Sequence, residues 1–156
     1  MTIYLGADHA GHELKEKIKK FLGYHYEKYK VVDFGADHYD EKDDYPDFVK
    51  PVAEAVVKDL GGGTSLEPSR GIIIGGSGQG EAMCANRIAG VRAAVYYGKT
   101  EHKEVELPGE VQLPSIIKLS REHNDANVLS LGARFLSDEE ALRVVQLWLD
   151  TPFSGE

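Results

Sequence analysis

A run of three isoleucines at 72–74 leads directly into the segment 75–81, whose sequence is Gly-Gly-Ser-Gly-Gln-Gly-Glu. The β-branched run predicts a buried strand. The glycines predict a sharp turn, because glycine adopts positive φ and allows close backbone approach. Backbone N–H groups where such a turn enters a helix favour anions. The chain is therefore expected to contain a strand–turn–helix unit with an anion-binding loop.

Short apolar runs recur along the chain, with helical patterns between them. The runs that predict strands are 3–5, 31–34, 72–74, 93–96 and 127–131. Apolar residues at helical spacing occupy 14–22, 48–56, 82–88, 116–119 and 142–149, and Ser137 begins a capping box for the last helix. Continuous apolar strands that alternate with helices are typical of a parallel sheet covered on both faces. We therefore predict an α/β fold, a single-domain Rossmann-like three-layer sandwich with a five-stranded parallel sheet, over residues 1–156.

Composition limits the partners of this chain. The formal net charge of -8 at pH 7 argues against nucleic acid or an anionic membrane surface as a partner. No apolar stretch approaches the ~20 residues that cross a bilayer, and the polar residues from Asp8 onward disfavour a signal peptide. Because Cys84 is the one cysteine, an intrachain disulfide is excluded, which fits a reducing cytoplasmic location.

Polar residues follow three of the predicted strands. Asp8 and His9 follow the first strand, the segment 75–81 follows the third, and Arg134 follows the fifth. Ligands of parallel sheets bind at the carboxyl ends of the strands, so we expect these residues to share one edge. A carboxylate such as Glu81 beside an anion-binding loop suits proton abstraction next to a carbonyl, since the loop would hold the enediolate oxygen. The alternative for Glu81 is a solvated side chain that stabilises the start of a helix.

The residues alone leave several roles open. Asp8 either caps the following helix or, with His9, contacts a ligand. The polar segment 123–127 is either a solvated loop or a site in which His123 transfers protons. Arg134 is either a phosphate clamp or one partner of a surface ion pair.

Other residues favour a structural role. The segment 43–47 is typical of a helix N-terminus before Pro46, although Tyr45 could also reach over a pocket. Cys84 is predicted to be a small apolar filler, because no histidine lies near enough along the helix to activate it. His, Cys, Asp and Glu show no short metal-ligand spacing, so no metal site is predicted.

Six segments in order identify a family resemblance. They are 8–11, 44–48, 75–81, 85–87, 121–127 and 151–156. On these segments the chain resembles the type B ribose-5-phosphate isomerases and their relatives, the galactose-6-phosphate isomerase subunits. The resemblance implies a Rossmann-like sandwich and cofactor-independent aldose–ketose isomerisation of a phosphorylated sugar, with ribose 5-phosphate to ribulose 5-phosphate as the leading reaction. It also implies a homodimer or tetramer with sites at the subunit interface.

The resemblance also implies roles for individual residues. One kind of family member carries its base as a cysteine directly after the third strand, where this chain has Gly75. The other kind carries a glutamate at the end of the glycine loop, which Glu81 matches. Glu81 is thus the implied base, Ser77 belongs to the enediolate-holding loop, and Asp8 and His123 assist ring opening. The residues implied to bind substrate are His9, Tyr45, Gly76, Gly78, Gln79, Gly80, Asn124 and Arg134.

Two departures from the family pattern bear on the function. Members usually continue beyond 154–156 with arginines that reach phosphate in the neighbouring subunit, so we expect part of the phosphate clamp to be missing from this sequence. The segment 98–114, predicted to be a loop like 61–69, is longer than the family usually shows. These departures motivate two alternatives: a sugar-phosphate-binding subunit without activity, and an isomerase of a tetrose or hexose phosphate. A flavodoxin-like nucleotide binder is disfavoured, because the glycine loop lacks the lysine of a phosphate loop.

Overall fold

The computed structural model describes residues 1–61, 67–98 and 115–155. Its strands are β1 (Thr2–Ala7), β2 (Lys30–Asp33), β3 (Arg70–Gly75), β4 (Ala93–Tyr96) and β5 (Val128–Gly132). Its helices are α1 (His12–His25), α2 (Pro46–Gly61), α3 (Gln79–Ala85), α4 (Ile116–Glu122) and α5 (Asp138–Asp150). Most of the predicted loops at 61–69 and 98–114 lies outside the described residues. Within the described parts of the chain, no helix combines the length and the apolarity that crossing a membrane would require.

The five strands form one parallel sheet in the order β2-β1-β3-β5-β4, which confirms the predicted sheet. From β1 the chain passes to β2 on one side and then crosses to β3 on the other side of β1. The loops that follow β1 and β3 therefore leave the sheet on either side of a topological switch point. Ligands of open α/β sheets bind at this position.

Helices cover both faces of the sheet and complete the predicted three-layer sandwich. Helices α1, α4 and α5 pack on one face, and α2 and α3 pack on the other. Three consecutive isoleucines of β3 divide between these layers: Ile72 and Ile74 join the core beside Trp148, whereas Ile73 joins the core beside Val52. The run is continuously apolar because both faces of β3 are buried.

Two helix starts that the sequence predicted, at Pro46 and after Ser137, are confirmed, whereas the predicted extent of α3 is not. The Ser137 hydroxyl accepts a hydrogen bond from the Glu140 N–H at 3.2 Å, as the capping box predicts. The predicted helix through Ile88 is wrong at its end, since α3 stops at Ala85. Asn86 ends it: its side-chain amide pairs with the backbone of Ala93 through bonds of 2.8 and 3.0 Å, which ties the chain to β4.

Candidate active site

A cavity of about 380 Å³ opens at the carboxyl edge of the sheet, over the switch point between β1 and β3. This volume lies within the range of cavities that hold small metabolites. Ten described residues line it: Asp8, His9, Ala10, Tyr45, Gly76, Ser77, Gly80, Glu81, Arg134 and Phe135. Eight of these were predicted to belong to the site, so the structure brings together most of the residues that the sequence indicated.

The glycine loop is held in place from beneath by β5. Gly78 adopts a φ of 75°, which favours glycine, and its carbonyl accepts a 2.6 Å hydrogen bond from the Ser130 hydroxyl. A side chain on Gly132 would approach the Ser77 carbonyl oxygen to 2.6 Å, so the loop packs directly on the strand end. Gly78 and Gln79 thus shape the loop, although they do not line the cavity.

Glu81 lies in the first turn of α3, and its side chain folds back into the cavity wall. Only 4% of the residue is exposed. Burial raises the pKa of its carboxyl, and the nearby charge of Asp8 raises it further, while hydrogen bonds from the backbone at Glu81 and Gly78 act in the opposite direction. Burial therefore outweighs the start of the helix, a balance that the sequence left open. A carboxyl with a raised pKa in a cavity suits general-base chemistry.

Gly75 makes room for this carboxylate. A Cβ on Gly75 would overlap the Glu81 Oε1 atom, and its other nearest neighbours are also atoms of the Glu81 carboxylate. The position of Glu81 therefore depends on the absence of a side chain at position 75. Sequence analysis identified Gly75 as part of the turn and as the position of the cysteine base in other family members, but it missed this steric role.

Asp8 stabilises the turn that leads into α1 and also lies at the cavity, while the N-cap residue of α1 is Gly11. Its Oδ1 accepts hydrogen bonds from the N–H groups of Ala10 at 3.0 Å and Gly11 at 3.2 Å, which stabilises the entry into α1. Asp8 also lines the cavity and is only 8% exposed. Burial raises the pKa of its carboxyl.

His9 is bound to a residue that sequence analysis did not assign to the site. Asp43 Oδ1 accepts a hydrogen bond from the His9 backbone N–H at 2.9 Å and lies 2.7 Å from His9 Nδ1. The hydrogen bond to Asp43 raises the pKa of the His9 imidazole, against a lowering by burial and by the positive charge of Arg134. No sequence signal links these residues, since they lie 34 positions apart.

Arg134 and Tyr45 lie against opposite ends of the glycine loop. A Cβ on Gly76 would lie 3.3 Å from the Arg134 guanidinium carbon, and a Cβ on Gly80 would lie 3.1 Å from the Tyr45 hydroxyl oxygen. The backbone N–H of Arg134 donates to the Gly76 carbonyl at 3.1 Å, which anchors the arginine to the loop. Arg134 forms no ion pair with another described residue, so its guanidinium is available to an anion in the cavity.

His123 and Asn124 are not at this cavity in the same chain. They follow α4 and precede β5, at the amino edge of the sheet. The five residues of β5 separate the two edges by about 17 Å, at roughly 3.3 Å per residue. A single copy of the chain therefore does not combine these two residues with Glu81.

One described cluster has the donor atoms for a metal ion. Ligand atoms of Asp8, His9 and Asp43 lie within 4.8 Å of one another. The spacing of these residues along the sequence did not indicate the cluster. The hydrogen bond between His9 Nδ1 and Asp43 Oδ1 engages two of the atoms that ligation would need. A hydrogen-bonded pair beside a second carboxyl describes this geometry better than a set of metal ligands.

Known proteins share this fold and sequence. The family described as Ribose/Galactose Isomerase matches residues 3–156. Ribose-5-phosphate isomerase B of Mycobacterium tuberculosis (strain ATCC 25618 / H37Rv) is 38% identical over 154 residues, covering 99% of this chain and 80% of the relative. A Mycoplasma genitalium ribose-5-phosphate isomerase B with bound ribulose 5-phosphate superposes with a TM-score of 0.81 at 34% identity, covering 99% of this chain and 87% of that chain. The ribose-5-phosphate isomerase B of Clostridium thermocellum superposes with a TM-score of 0.78 at 40% identity, covering 100% of this chain and 88% of that chain.

The fold and these relatives define the class of the protein, an aldose–ketose isomerase of phosphorylated sugars. The chain belongs to the ribose/galactose isomerase family, on its ribose-5-phosphate isomerase B side.

Proposed function

We propose that this chain converts ribose 5-phosphate to ribulose 5-phosphate through an enediolate, with Glu81 as the base. The observation that carries the proposal is the buried Glu81 carboxyl, which has a raised pKa and lies beside the glycine loop in a cavity that also contains Arg134. The names of the relatives and the ribulose 5-phosphate bound to the Mycoplasma genitalium protein support the choice of substrate. The proposal treats residues 1–156 as one isomerase domain in a reducing cytoplasm.

The phosphate group binds at the positive side of the cavity. Arg134 supplies a guanidinium that can hold two phosphate oxygens, and the raised pKa of His9 favours its cationic form. In a protein with a net charge of -8, this local pair of cations provides the attraction that the whole surface does not. The sugar carbons then extend towards Asp8 and Glu81.

The chemistry proceeds in two stages. First, an acid–base pair formed by Asp8 and His123 opens the sugar ring. One member takes the proton of the anomeric hydroxyl, the bond between C1 and the ring oxygen breaks as the C1 carbonyl forms, and the other member protonates the ring oxygen. Second, Glu81 removes the proton from C2, and the electron pair forms the C1–C2 double bond of the enediolate. Backbone N–H groups of the loop 77–80 stabilise the charge on O1. O1 then takes up the proton that O2 gives up as the C2 carbonyl forms, and Glu81 returns its proton to C1. This route moves only protons and electron pairs within the substrate, so it requires no cofactor.

His123 and Asn124 reach the cavity from a second copy of the chain. Their position at the amino edge of the sheet separates them from the Glu81 of their own chain. Three large apolar side chains, Met83, Tyr97 and Phe135, are 45–66% exposed, and the last two follow strand ends at the carboxyl edge. Burying such side chains would favour self-association, and the second copy would complete the cavity.

Replacement of Glu81 by glutamine tests the base. The change keeps the shape of the side chain and removes its ability to accept a proton from carbon. We expect kcat for ribose 5-phosphate to fall at least about 100-fold, while the dissociation constant for ribulose 5-phosphate, measured by calorimetry, changes little. An E81Q variant with normal turnover would show that Glu81 is not the base.

The pH dependence of the wild-type enzyme gives a second readout. Glu81 must be ionised to act as a base, so kcat should fall as the pH falls through its raised pKa.

Turnover of ribose 5-phosphate by the purified polypeptide also separates the proposal from a binding subunit without activity. Tetrose and hexose phosphates assayed with the same preparation test the alternative substrates.

A further inference from the structure

Asp43 contacts His9 twice through a single oxygen atom. Its Oδ1 accepts the His9 backbone N–H at 2.9 Å and lies 2.7 Å from the ring nitrogen Nδ1. Both side chains are largely buried, with 24% of the His9 side chain and 10% of the Asp43 side chain exposed. The backbone contact fixes the carboxylate relative to the turn after β1, and the ring contact fixes the imidazole relative to the carboxylate.

This geometry determines which ring nitrogen is available to a ligand. A carboxylate oxygen accepts hydrogen bonds, so Nδ1 carries the hydrogen that lies between His9 and Asp43. His9 lines the cavity, and its remaining nitrogen is Nε2. Below the pKa of the ring, Nε2 carries a hydrogen as well and donates to an anion.

The charges around His9 come from four parts of the fold. Asp8 is its neighbour in the turn after β1, Asp43 precedes α2, and Arg134 follows β5. Glu81 of α3 lines the same cavity, and the Tyr39 ring meets the imidazole edge-on at 6.0 Å between centroids. Of these groups, Asp43 has the largest influence and favours the protonated ring, which Arg134 disfavours.

The second oxygen of Asp43 indicates that the residue is not there for packing alone. Asp43 Oδ2 is buried and has no hydrogen-bond partner among the described residues. A buried carboxylate oxygen without a partner destabilises a fold. Asparagine could accept the His9 backbone N–H without burying a charge, so the contact with the ring is the feature that explains an aspartate.

We propose that Asp43 is a positioning residue for the isomerisation reaction. It orients His9 by holding a hydrogen on Nδ1, and it favours the protonated ring, in which Nε2 carries a second hydrogen and donates it to an oxygen of the bound sugar phosphate. The role of the substrate rests on the function proposed above, whereas the tautomer and the protonation of His9 do not. Asp43 itself stays outside the cavity lining and acts through the imidazole.

The test compares Asp43→Asn with Asp47→Asn, which removes the same charge from an exposed position on α2. We expect D43N to raise KM for ribose 5-phosphate about tenfold near neutral pH with a much smaller change in kcat, since a charge-assisted contact to phosphate is weakened. In ¹⁵N NMR, His9, assigned through its missing signals in a His9→Asn variant, should titrate at lower pH in D43N. The loss of binding as pH rises should shift in the same direction, and D47N should resemble the wild type in each measurement.

The wild-type protein provides a test that does not depend on how D43N folds. At high pH its neutral His9 ring should carry the proton on Nδ1. At a pH below the pKa of the ring, where Nε2 also carries a hydrogen, inorganic phosphate should shift the Nε2 signal. A proton on Nε2, or a D43N variant whose His9 titration and KM match D47N, would overturn the proposal. If His9 behaves as expected while the wild type does not turn over ribose 5-phosphate, the proposed reaction fails but the positioning of His9 by Asp43 stands.

Discussion

The contact between Gly75 and Glu81 shows how one residue without a side chain supports a candidate base. The Glu81 carboxylate occupies the volume that a side chain on position 75 would take. The cysteine branch of the family, as described by the resemblance, carries its base at that same position. A cysteine at 75 and a glutamate at 81 would therefore compete for the same space, and the observed position of Glu81 in this chain requires glycine there.

Replacing Gly75 by alanine should separate catalysis from stability. The backbone of Gly75 does not adopt positive φ, and the added methyl meets only the end of a flexible side chain. We expect the fold to persist with little change in Tm. The displaced carboxylate should lower kcat about 100-fold, as expected for a misplaced base.

Gly23→Ala provides the matched control for this substitution. Gly23 lies in α1, and a Cβ there would meet nothing within 4 Å. This variant should keep full activity and gain a little stability from the helix propensity of alanine. A G75A variant as active as G23A would show that Glu81 does not need its observed position.

Sequence analysis located most single residues of the site but could not assign all of their contacts. Glu81, His9 and Arg134 could be predicted because each follows a strand or starts a helix at the carboxyl edge. Asp43 could not be predicted, since its contact with His9 depends on how the loop before α2 crosses the sheet edge. The volume at Gly75 depends on a side-chain rotamer, which sequence pattern does not specify.

At the scale of elements, the segment 121–127 is a structural turn as well as a family signature. Arg121 is 4% exposed, and its Nη1 donates to the Ala126 carbonyl at 2.6 Å and to Asp125 at 2.8 Å. Asn127 accepts from the Arg92 N–H at 2.8 Å and donates to Gly90 at 2.9 Å, which ties β4 to the start of β5. Part of the signature therefore holds elements together. A sequence match to the signature cannot by itself show whether a residue has a structural or a catalytic role.

Replacing Arg121 by methionine should destabilise the fold. The change leaves buried carbonyl groups without their donors while keeping most of the side-chain volume. We expect a loss of about 3 kcal/mol in the free energy of unfolding. The corresponding fall in Tm is roughly 6–12 °C by calorimetry for a chain of this size.

Arg143→Met serves as the control, because the Arg143 side chain is 65% exposed and pairs with an exposed glutamate. That variant should stay within about 0.5 kcal/mol of the wild type. Equal stability of the two variants would contradict the role assigned to Arg121.

At the scale of the whole molecule, the sheet separates two groups of implied site residues. Glu81 and Arg134 lie at the carboxyl edge, and His123 and Asn124 lie at the amino edge. The pattern of strands and helices was sufficient to predict this sheet, because parallel strands buried on both faces leave a strong apolar signal. It was not sufficient to predict how two chains meet, since that depends on surface shape rather than on periodicity.

Mixing two inactive variants tests whether two chains share each site. Glu81→Gln removes the base from one cavity, and His123→Ala removes the residue that a partner would supply. After the two proteins are unfolded together and refolded, half of the dimers are mixed, and one of their two sites has both residues intact. We expect about one quarter of wild-type activity to return.

A mixture of Glu81→Gln with Arg134→Met is the control for subunit exchange. Both of these residues belong to the same cavity of the same chain, so every site in a mixed dimer keeps one defect. This mixture should remain inactive. If the first mixture also remains inactive while mass spectrometry shows mixed dimers, His123 does not act in the partner's cavity.

The crowding between positions 75 and 81 also constrains how this family can diversify. Exchanging the carboxylate base of this chain for a thiol at position 75 would displace the carboxylate as soon as the thiol is added. The single-step intermediates of this exchange hold either both groups in conflict or neither group at all. A library that varies both positions together, rather than one at a time, is therefore the route by which the alternative chemistry could be introduced into this scaffold.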